Sequence, residues 1–113
     1  MEMVEHIENE IVVLELSGKI MGGPDAATLN EKLHDLVESG NTRVVADLSN
    51  VNWMNSSGLG ILINALTTIR NAGGDLKLAS VTDKIKSLLK ITKLLTVFNT
   101  YDSTEDAINS FST

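Results

Sequence analysis

The sequence contains no cysteine, which excludes disulfide bonds, thiolate catalysis and cysteine-based metal sites. Basic residues are also scarce, since nine Lys and Arg against fifteen Asp and Glu give a formal net charge of −6. A chain of this charge repels phosphate backbones and anionic lipid headgroups. We therefore expect neither nucleic acid nor a membrane surface among its partners.

The features of exported and membrane proteins are missing as well. No apolar stretch approaches the roughly 20 residues that are needed to cross a bilayer. The first six residues include two glutamates and neither Lys nor Arg, whereas a secretory signal needs a basic start that leads into an apolar run. These observations favour a cytoplasmic protein.

What the sequence does contain is typical of one folded domain. Its 113 residues include 42% apolar and 21% charged residues, as in ordinary globular proteins. A chain of this length can bury roughly two-thirds of its unfolded surface in a single core. We expect one domain over residues 1–113, without internal repeats or linkers.

Hydrophobic periodicity predicts an alternation of strands and helices. The first half contains, in order, strands at 3–7 and 11–16 joined by a turn at 8–10, the closing pair Ser17-Gly18, a helix from Pro24 to about Gly40, and a buried strand at 43–48. The second half contains a loop at 49–55, a helix of about four turns that stops at Gly73-Gly74, an alternating strand at 75–80, a helix capped by Ser80 or Thr82, a short strand at 95–98, and a helix that starts after Ser103.

This order calls for an α/β fold. The prediction is a mixed, mostly parallel sheet of about five strands, flanked by about four helices and opening with an N-terminal β-hairpin. The run at 43–48 is rich in β-branched residues and has no polar face, so we expect it to be a central, parallel strand.

The sequence offers little support for an enzyme. His6 and His34 stand alone, without the spacing that pairs zinc ligands. The acidic pairs Glu8/Glu10 and Glu105/Asp106 fall in a turn and at a helix start, where acids are ordinarily solvated or favoured by the helix dipole. We expect no catalytic residue, no metal and no cofactor.

The glycine-rich stretch 57–60 matches neither the dinucleotide-binding pattern nor the P-loop pattern. Binding of a small nucleotide at Ser57-Gly58 therefore stays a minor alternative. A serine hydrolase elbow around Ser56 is only half present, because Met54 stands where the first glycine of that motif belongs.

The remaining feature is a run of hydrogen-bonding side chains, Asn55-Ser56-Ser57, at the start of the second long helix. One interpretation is plain capping, in which Asn or Ser accepts a bond from a first-turn N–H group, worth about 1 kcal/mol. The other is phosphorylation, because a helix N-terminus favours an anion and a phosphate there would change how a partner docks. Spacing alone leaves both interpretations open.

The stretch from Val45 to Gly60, Val-Ala-Asp-Leu-Ser-Asn-Val-Asn-Trp-Met-Asn-Ser-Ser-Gly-Leu-Gly, resembles the signature of STAS domains, and specifically of bacterial anti-sigma factor antagonists. The similarity extends over nearly the whole chain. It implies that Ser56 is phosphorylated by a serine kinase that is also the anti-sigma factor. The unmodified protein would bind this kinase and free a sigma factor, phosphorylation would release it, and a metal-dependent, PP2C-like phosphatase would reset the cycle.

The resemblance also implies a partner-binding surface, made up of Gly22, Gly23, Asp25, Asn55, Ser57, Gly58 and Leu59. Two positions depart from the family pattern. Asn55 stands where the family most often has Asp, and Asp25 is displaced by a few positions in the loop after Gly18. An alternative of another class is a constitutive scaffold, or a transporter-associated STAS subunit, without phosphorylation control.

Overall fold

A five-stranded mixed sheet and four helices make up residues 1–112, the part of the chain that the computed structural model describes. In chain order the elements are β1 (Glu2–Glu8), β2 (Ile11–Ile20), α1 (Pro24–Glu38), β3 (Arg43–Met54), α2 (Ser56–Asn71), β4 (Asp75–Ala79), α3 (Asp83–Ile91), β5 (Thr100–Tyr101) and α4 (Thr104–Ser110). The strands lie in the order β1-β2-β3-β4-β5, with β1 antiparallel to β2 and each later pair parallel. The predicted α/β architecture and its N-terminal hairpin are confirmed.

The hairpin turns through two residues with left-handed backbone conformations. Asn9 has φ 54° and Glu10 has φ 66°, and Glu8 pairs directly with Ile11. Positive φ at both central residues matches the right-handed twist of the flanking strands, which explains why so short a connection closes this hairpin.

Strands β2 and β3 run further than the sequence predicted. The predicted end of β2 at Ser17-Gly18 and the predicted loop at 49–55 are wrong, because both segments continue side by side as far as the pair Ile20 and Met54. The ladder stays parallel through two register shifts. Polar residues at the end of a sheet can face water and still pair their backbones, so side-chain periodicity gave no sign of this extension.

The two faces of the sheet are covered unequally. Helices α1, α2 and α3 cover one face, where the alternate strand residues are Val12, Leu14, Leu16, Val44, Ala46, Leu48, Leu76 and Leu78. Helix α4 covers the other face through Ala107 and Ile108, which pack with Ile11, Val13, Val45 and Ala79. The predicted central position of β3 is confirmed, since it pairs in parallel with β2 and with β4.

Strand β4 carries a buried lysine. The strand was predicted to alternate between core and solvent, yet Lys77 is only 8% exposed. Its Nζ donates to Ser110 Oγ at 2.6 Å and lies 4.2 Å from the centre of the Phe111 ring. A buried ammonium group needs such partners to offset its lost hydration, so Lys77 joins the C-terminal helix to the sheet.

An ion pair joins β1 to helix α1. Lys32 Nζ of α1 donates to Glu5 Oε1 at 2.6 Å, and this hydrogen bond raises the pKa of Lys32 above its ordinary value. Both side chains are about one-third exposed, so the pair is worth at most about 1 kcal/mol. The pKa of Lys32 is higher in the folded than in the unfolded chain, so this stabilisation is present at neutral pH. It is lost only as the pH rises through the folded-state pKa.

The last strand lies elsewhere than predicted. The prediction of a strand at 95–98 is wrong, because these residues form a turn in which Val97 N–H donates to the Leu94 carbonyl at 3.0 Å. Phe98 is buried in the core, and the strand that completes the sheet is Thr100–Tyr101, where Thr100 pairs with Leu78. A two-residue strand has too few side chains to show a period.

Within residues 1–112, no helix is both long enough and apolar enough to span a membrane.

Candidate functional site

The candidate site lies at the carboxyl ends of β2 and β3. Ile20 and Met54 pair at this end of the sheet, and each strand then leads into a helix. The loop Met21–Gly23 connects β2 to α1, and Asn55 alone connects β3 to α2. Loops that follow neighbouring parallel strands gather at one edge of a sheet, and this is where α/β proteins generally place their sites.

The first turn of α2 lies directly against the end of β2. A Cβ atom built on Gly58 would lie 2.0 Å from the Ile20 carbonyl oxygen and 3.0 Å from Met54 Cγ. No side chain fits into that space, so only glycine lets the helix backbone come this close to the strand. Gly58 therefore sets the position of the helix start.

Asn55 caps this helix. Its backbone is extended, with φ −100°, and its Oδ1 accepts a hydrogen bond from Gly58 N–H at 2.7 Å. Its carbonyl oxygen accepts the next bond, from Leu59 N–H at 2.9 Å. The predicted capping by Asn or Ser is therefore confirmed for Asn55, whereas Ser56 is not the cap, because it is the first helical residue.

The Ser56 side chain therefore does not cap the helix. It and Ser57 are exposed, and within residues 1–112 neither hydroxyl has a hydrogen-bond partner. The first turn of α2 contains no acidic residue. A negative charge added to Ser56 would meet the positive end of the helix dipole and no carboxylate from its own turn.

The β2–α1 loop packs beside Ser57. A Cβ on Gly22 would lie 3.1 Å from Ser57 Cβ, so the loop contacts the first turn of α2. Gly23 has φ 76°, a left-handed conformation that favours glycine, and it precedes Pro24 at the start of α1. The family resemblance implies that these glycines form one partner-binding surface with Asn55 and Ser57, and the structure places Gly22 against Ser57.

Asp25 stabilises this loop through a hydrogen bond to its backbone. Its Oδ2 accepts a hydrogen bond from Met21 N–H at 3.0 Å, and the residue is half-buried. The carboxylate therefore fixes the conformation of the loop that carries Gly22 and Gly23.

Two residues of the predicted partner-binding surface are buried. Leu59 is 3% exposed and belongs to the core, and Gly58 is buried against β2. Both residues have a packing role in the fold, Leu59 in the core and Gly58 against the end of β2, and the partner contact implied for them stays a prediction.

Sequence reasoning did not single out two exposed apolar residues beside the site. Met21 follows β2 and is 42% exposed, while Trp53 lies two residues before the helix cap and is 37% exposed. A tryptophan on a segment taken for a loop was the available signal, since tryptophan is enriched at protein interfaces.

The structure offers no site for a metal ion among residues 1–112, where no three His, Cys, Asp or Glu side chains cluster. His6 and His34 are both exposed. His6 lies on β1, where it pairs with Val13 of β2 and its Nδ1 lies 4.0 Å from Glu15 Oε2. His34 lies on α1, so the two histidines belong to different elements.

Comparison with known proteins gives a consistent result. The family model of the STAS domain matches residues 2–107. The anti-sigma-B factor antagonist of Bacillus subtilis is 30% identical over 105 residues, which cover 93% of this chain and 94% of that protein.

Solved structures share the fold. The anti-sigma factor antagonist SpoIIAA in its unphosphorylated form superposes with a TM-score of 0.75 at 18% identity, covering 98% of both chains. The phosphorylated form of the Bacillus protein SpoIIAA gives 0.75 at 17% identity, covering 97% of this chain and 99% of that one. A sulfate transporter family protein from Wolinella succinogenes gives 0.79 at 18% identity, covering 93% and 87%.

Two glycines in the same helix test the close contact at the helix start. Gly58→Ala should destabilise the fold by about 3 kcal/mol or more, because the added methyl group collides with the Ile20 carbonyl. Gly60→Ala is the matched control, since a Cβ there meets nothing within 4 Å. It should be neutral or stabilising by up to about 1 kcal/mol, from the better helix propensity of alanine. Urea unfolding of the two variants measures the difference, and equal midpoints would contradict this role of Gly58.

Proposed function

Since the chain belongs to the STAS domain family, whose model matches residues 2–107, we propose that it is an anti-sigma factor antagonist that acts as a phosphorylation-controlled partner switch. Ser56 is the phosphoacceptor. The partner of the unmodified form is a serine kinase that doubles as an anti-sigma factor, and a PP2C-like phosphatase removes the phosphate. The chain itself is a kinase substrate and not an enzyme, and it works in the cytoplasm.

One observation carries the choice of Ser56. It is the first residue of α2, exposed, and relieved of capping by Asn55. A kinase can reach such a hydroxyl without unfolding the domain, and its modification removes no internal hydrogen bond. Ser57 is exposed too, but it packs beside Gly22 and is therefore less accessible on one side.

The same geometry explains how a phosphate could be tolerated. The N–H groups of the first helical residues have no partner within the helix, and the dipole favours an anion there. Asn55 adds no negative charge next to the phosphate, whereas an aspartate would. SpoIIAA shares this fold in both its unphosphorylated and its phosphorylated form.

Release of the partner follows from charge rather than from refolding. Phosphorylation adds about −2 charge to an exposed surface formed by Ser56, Ser57 and the Gly22-Gly23 loop. A protein docked on that surface would have to bury or repel this charge. The unmodified and modified forms thus differ in affinity while sharing one fold.

Phosphosite mapping tests the acceptor. After incubation of the purified chain with a cognate serine kinase and ATP, mass spectrometry should find one phosphate, on Ser56. Ser56→Ala should abolish it, whereas the adjacent control Ser57→Ala should still be phosphorylated. Undiminished phosphorylation of the Ser56→Ala variant would refute the assignment.

A charge substitution separates the switch from a constitutive scaffold or a transporter-associated subunit. Ser56→Asp should weaken kinase binding by roughly 1 to 3 kcal/mol, about 5- to 150-fold, because it leaves an uncompensated charge at the interface. Isothermal titration calorimetry measures the loss, with Ser56→Asn as the uncharged control. A scaffold would bind as tightly with Asp as with Ser, and that result would favour the alternative.

A further inference from the structure

A groove with an apolar floor runs between the end of β3 and helix α3. Its lining includes Trp53 and Met54 from β3, and Lys84, Leu88 and Ile91 from α3, and its volume is about 240 Å³. Ile91 is 78% exposed and Trp53 is 37% exposed. Two large apolar side chains are thus at least partly exposed on the walls of one concave surface, and apolar side chains that are grouped in this way can form an interaction site.

The charge of this region is opposite to that of the whole chain. Residues 83–93 contain four lysines, Lys84, Lys86, Lys90 and Lys93, and a single acid, Asp83, so the segment carries +3 while the chain carries −6. A neighbouring depression of about 440 Å³ is lined by Lys19, Met21 and Asn52, and it shares Trp53 and Lys84 with the groove. The lining of the two depressions includes two lysines and no acidic residue.

We propose that this groove, from Trp53 to Ile91, binds an acidic, apolar segment of a protein partner. Apolar side chains of that segment insert between the indole ring and Ile91, and its carboxylates lie beside Lys84 and Lys19. This inference rests on the proposed function, because it takes the partner to be the kinase that phosphorylation of Ser56 releases.

The size and charge of the groove select this occupant. Most pockets for cofactors and similar ligands enclose roughly 300 to 1,000 Å³ in one cavity. Here the volume is divided between the groove of about 240 Å³ and the neighbouring depression of about 440 Å³, which meet at Trp53 and Lys84. A lining extended in this way suits the side chains of a protein segment. An anionic membrane would attract the lysines but repel the rest of a chain of net charge −6. A protein segment contacts the basic groove alone, and complementary charge would speed and orient its docking.

The position of the groove links it to the switch. Trp53 and Met54 immediately precede Asn55, the residue that caps α2, and Met54 also packs near Gly58. A phosphate on Ser56 would therefore add negative charge at the end of a surface that holds an acidic segment. Like charges repel, so an acidic occupant makes the partner sensitive to this modification.

The single tryptophan of the chain makes the groove directly observable. The unphosphorylated full chain is titrated, without any kinase, with a synthetic helical peptide of Glu-Leu-Leu-Glu repeats about four turns long. Trp53 emission should shift to shorter wavelength and saturate. A peptide with Lys in place of each Glu is the charge control and should bind at least about tenfold more weakly.

Matched variants locate the binding surface. Lys84→Glu should weaken binding of the acidic peptide by on the order of five- to tenfold, whereas Lys86→Glu, on the same helix but outside the groove lining, should change it less than about twofold. Ile91→Ala should weaken binding likewise, with Ile7→Ala as the control at another exposed apolar site. All four positions are exposed, so the fold should tolerate each change.

Several results would overturn the proposal. These are an emission that does not saturate with the acidic peptide, equal binding of both peptides, or equal effects of Lys84→Glu and Lys86→Glu. An emission shift with phosphatidylglycerol vesicles but not with the peptide would assign the groove to lipid. A shift that depends on the concentration of the chain alone would assign it to a second copy. Because no kinase is present, each outcome is independent of whether Ser56 is phosphorylated.

Discussion

The contact between Gly58 and the Ile20 carbonyl is the constraint on which the site depends. With no side chain at position 58, the first turn of α2 lies directly on the end of β2, where an added Cβ would approach the carbonyl oxygen to 2.0 Å. This contact fixes the direction in which the helix leaves the sheet. Asn55 can then cap the helix from the end of β3, and Ser56 is left facing solvent.

Three residues within one four-residue segment, 55–58, therefore have three separate roles. Asn55 stabilises the helix start and Gly58 positions it. The Ser56 hydroxyl makes no hydrogen bond within residues 1–112. A modification of Ser56 changes the charge of the surface without removing a bond that holds the fold. We infer that such a separation lets a small domain serve as a switch and keep its stability in both states.

Much of this could be predicted from sequence, because long periodic segments specify their own structure. The stop signals around α1 and α2 and the buried run that begins at Val44 gave the fold class and the central strand. The extension of β2 and β3 to Ile20 and Met54 could not be predicted, because it depends on backbone pairing. The side chains of these segments mix polar and apolar residues without a regular alternation. The strand Thr100–Tyr101 is defined only by β4 beside it.

The candidate site was predicted in part for similar reasons. Local pattern and family resemblance pointed to Ser56, and local pattern also suggested a cap nearby. The choice between Asn55 and Ser56 as the cap needed the backbone, because both residue types can accept that hydrogen bond. The inward positions of Gly58 and Leu59, and the groove between Trp53 and α3, depend on segments that meet only after folding.

The central claim is that phosphorylation of Ser56 alters a surface and leaves the fold intact. Backbone amide NMR spectra of the unmodified and phosphorylated chain test it most directly, together with amide hydrogen exchange. The account predicts shift changes confined to the Met21–Gly23 loop, the residues next to Asn55 and the first turn of α2, with exchange protection in β2, β3 and β4 altered by less than about 1 kcal/mol. Shift changes throughout the sheet, or a general loss of protection there, would contradict it.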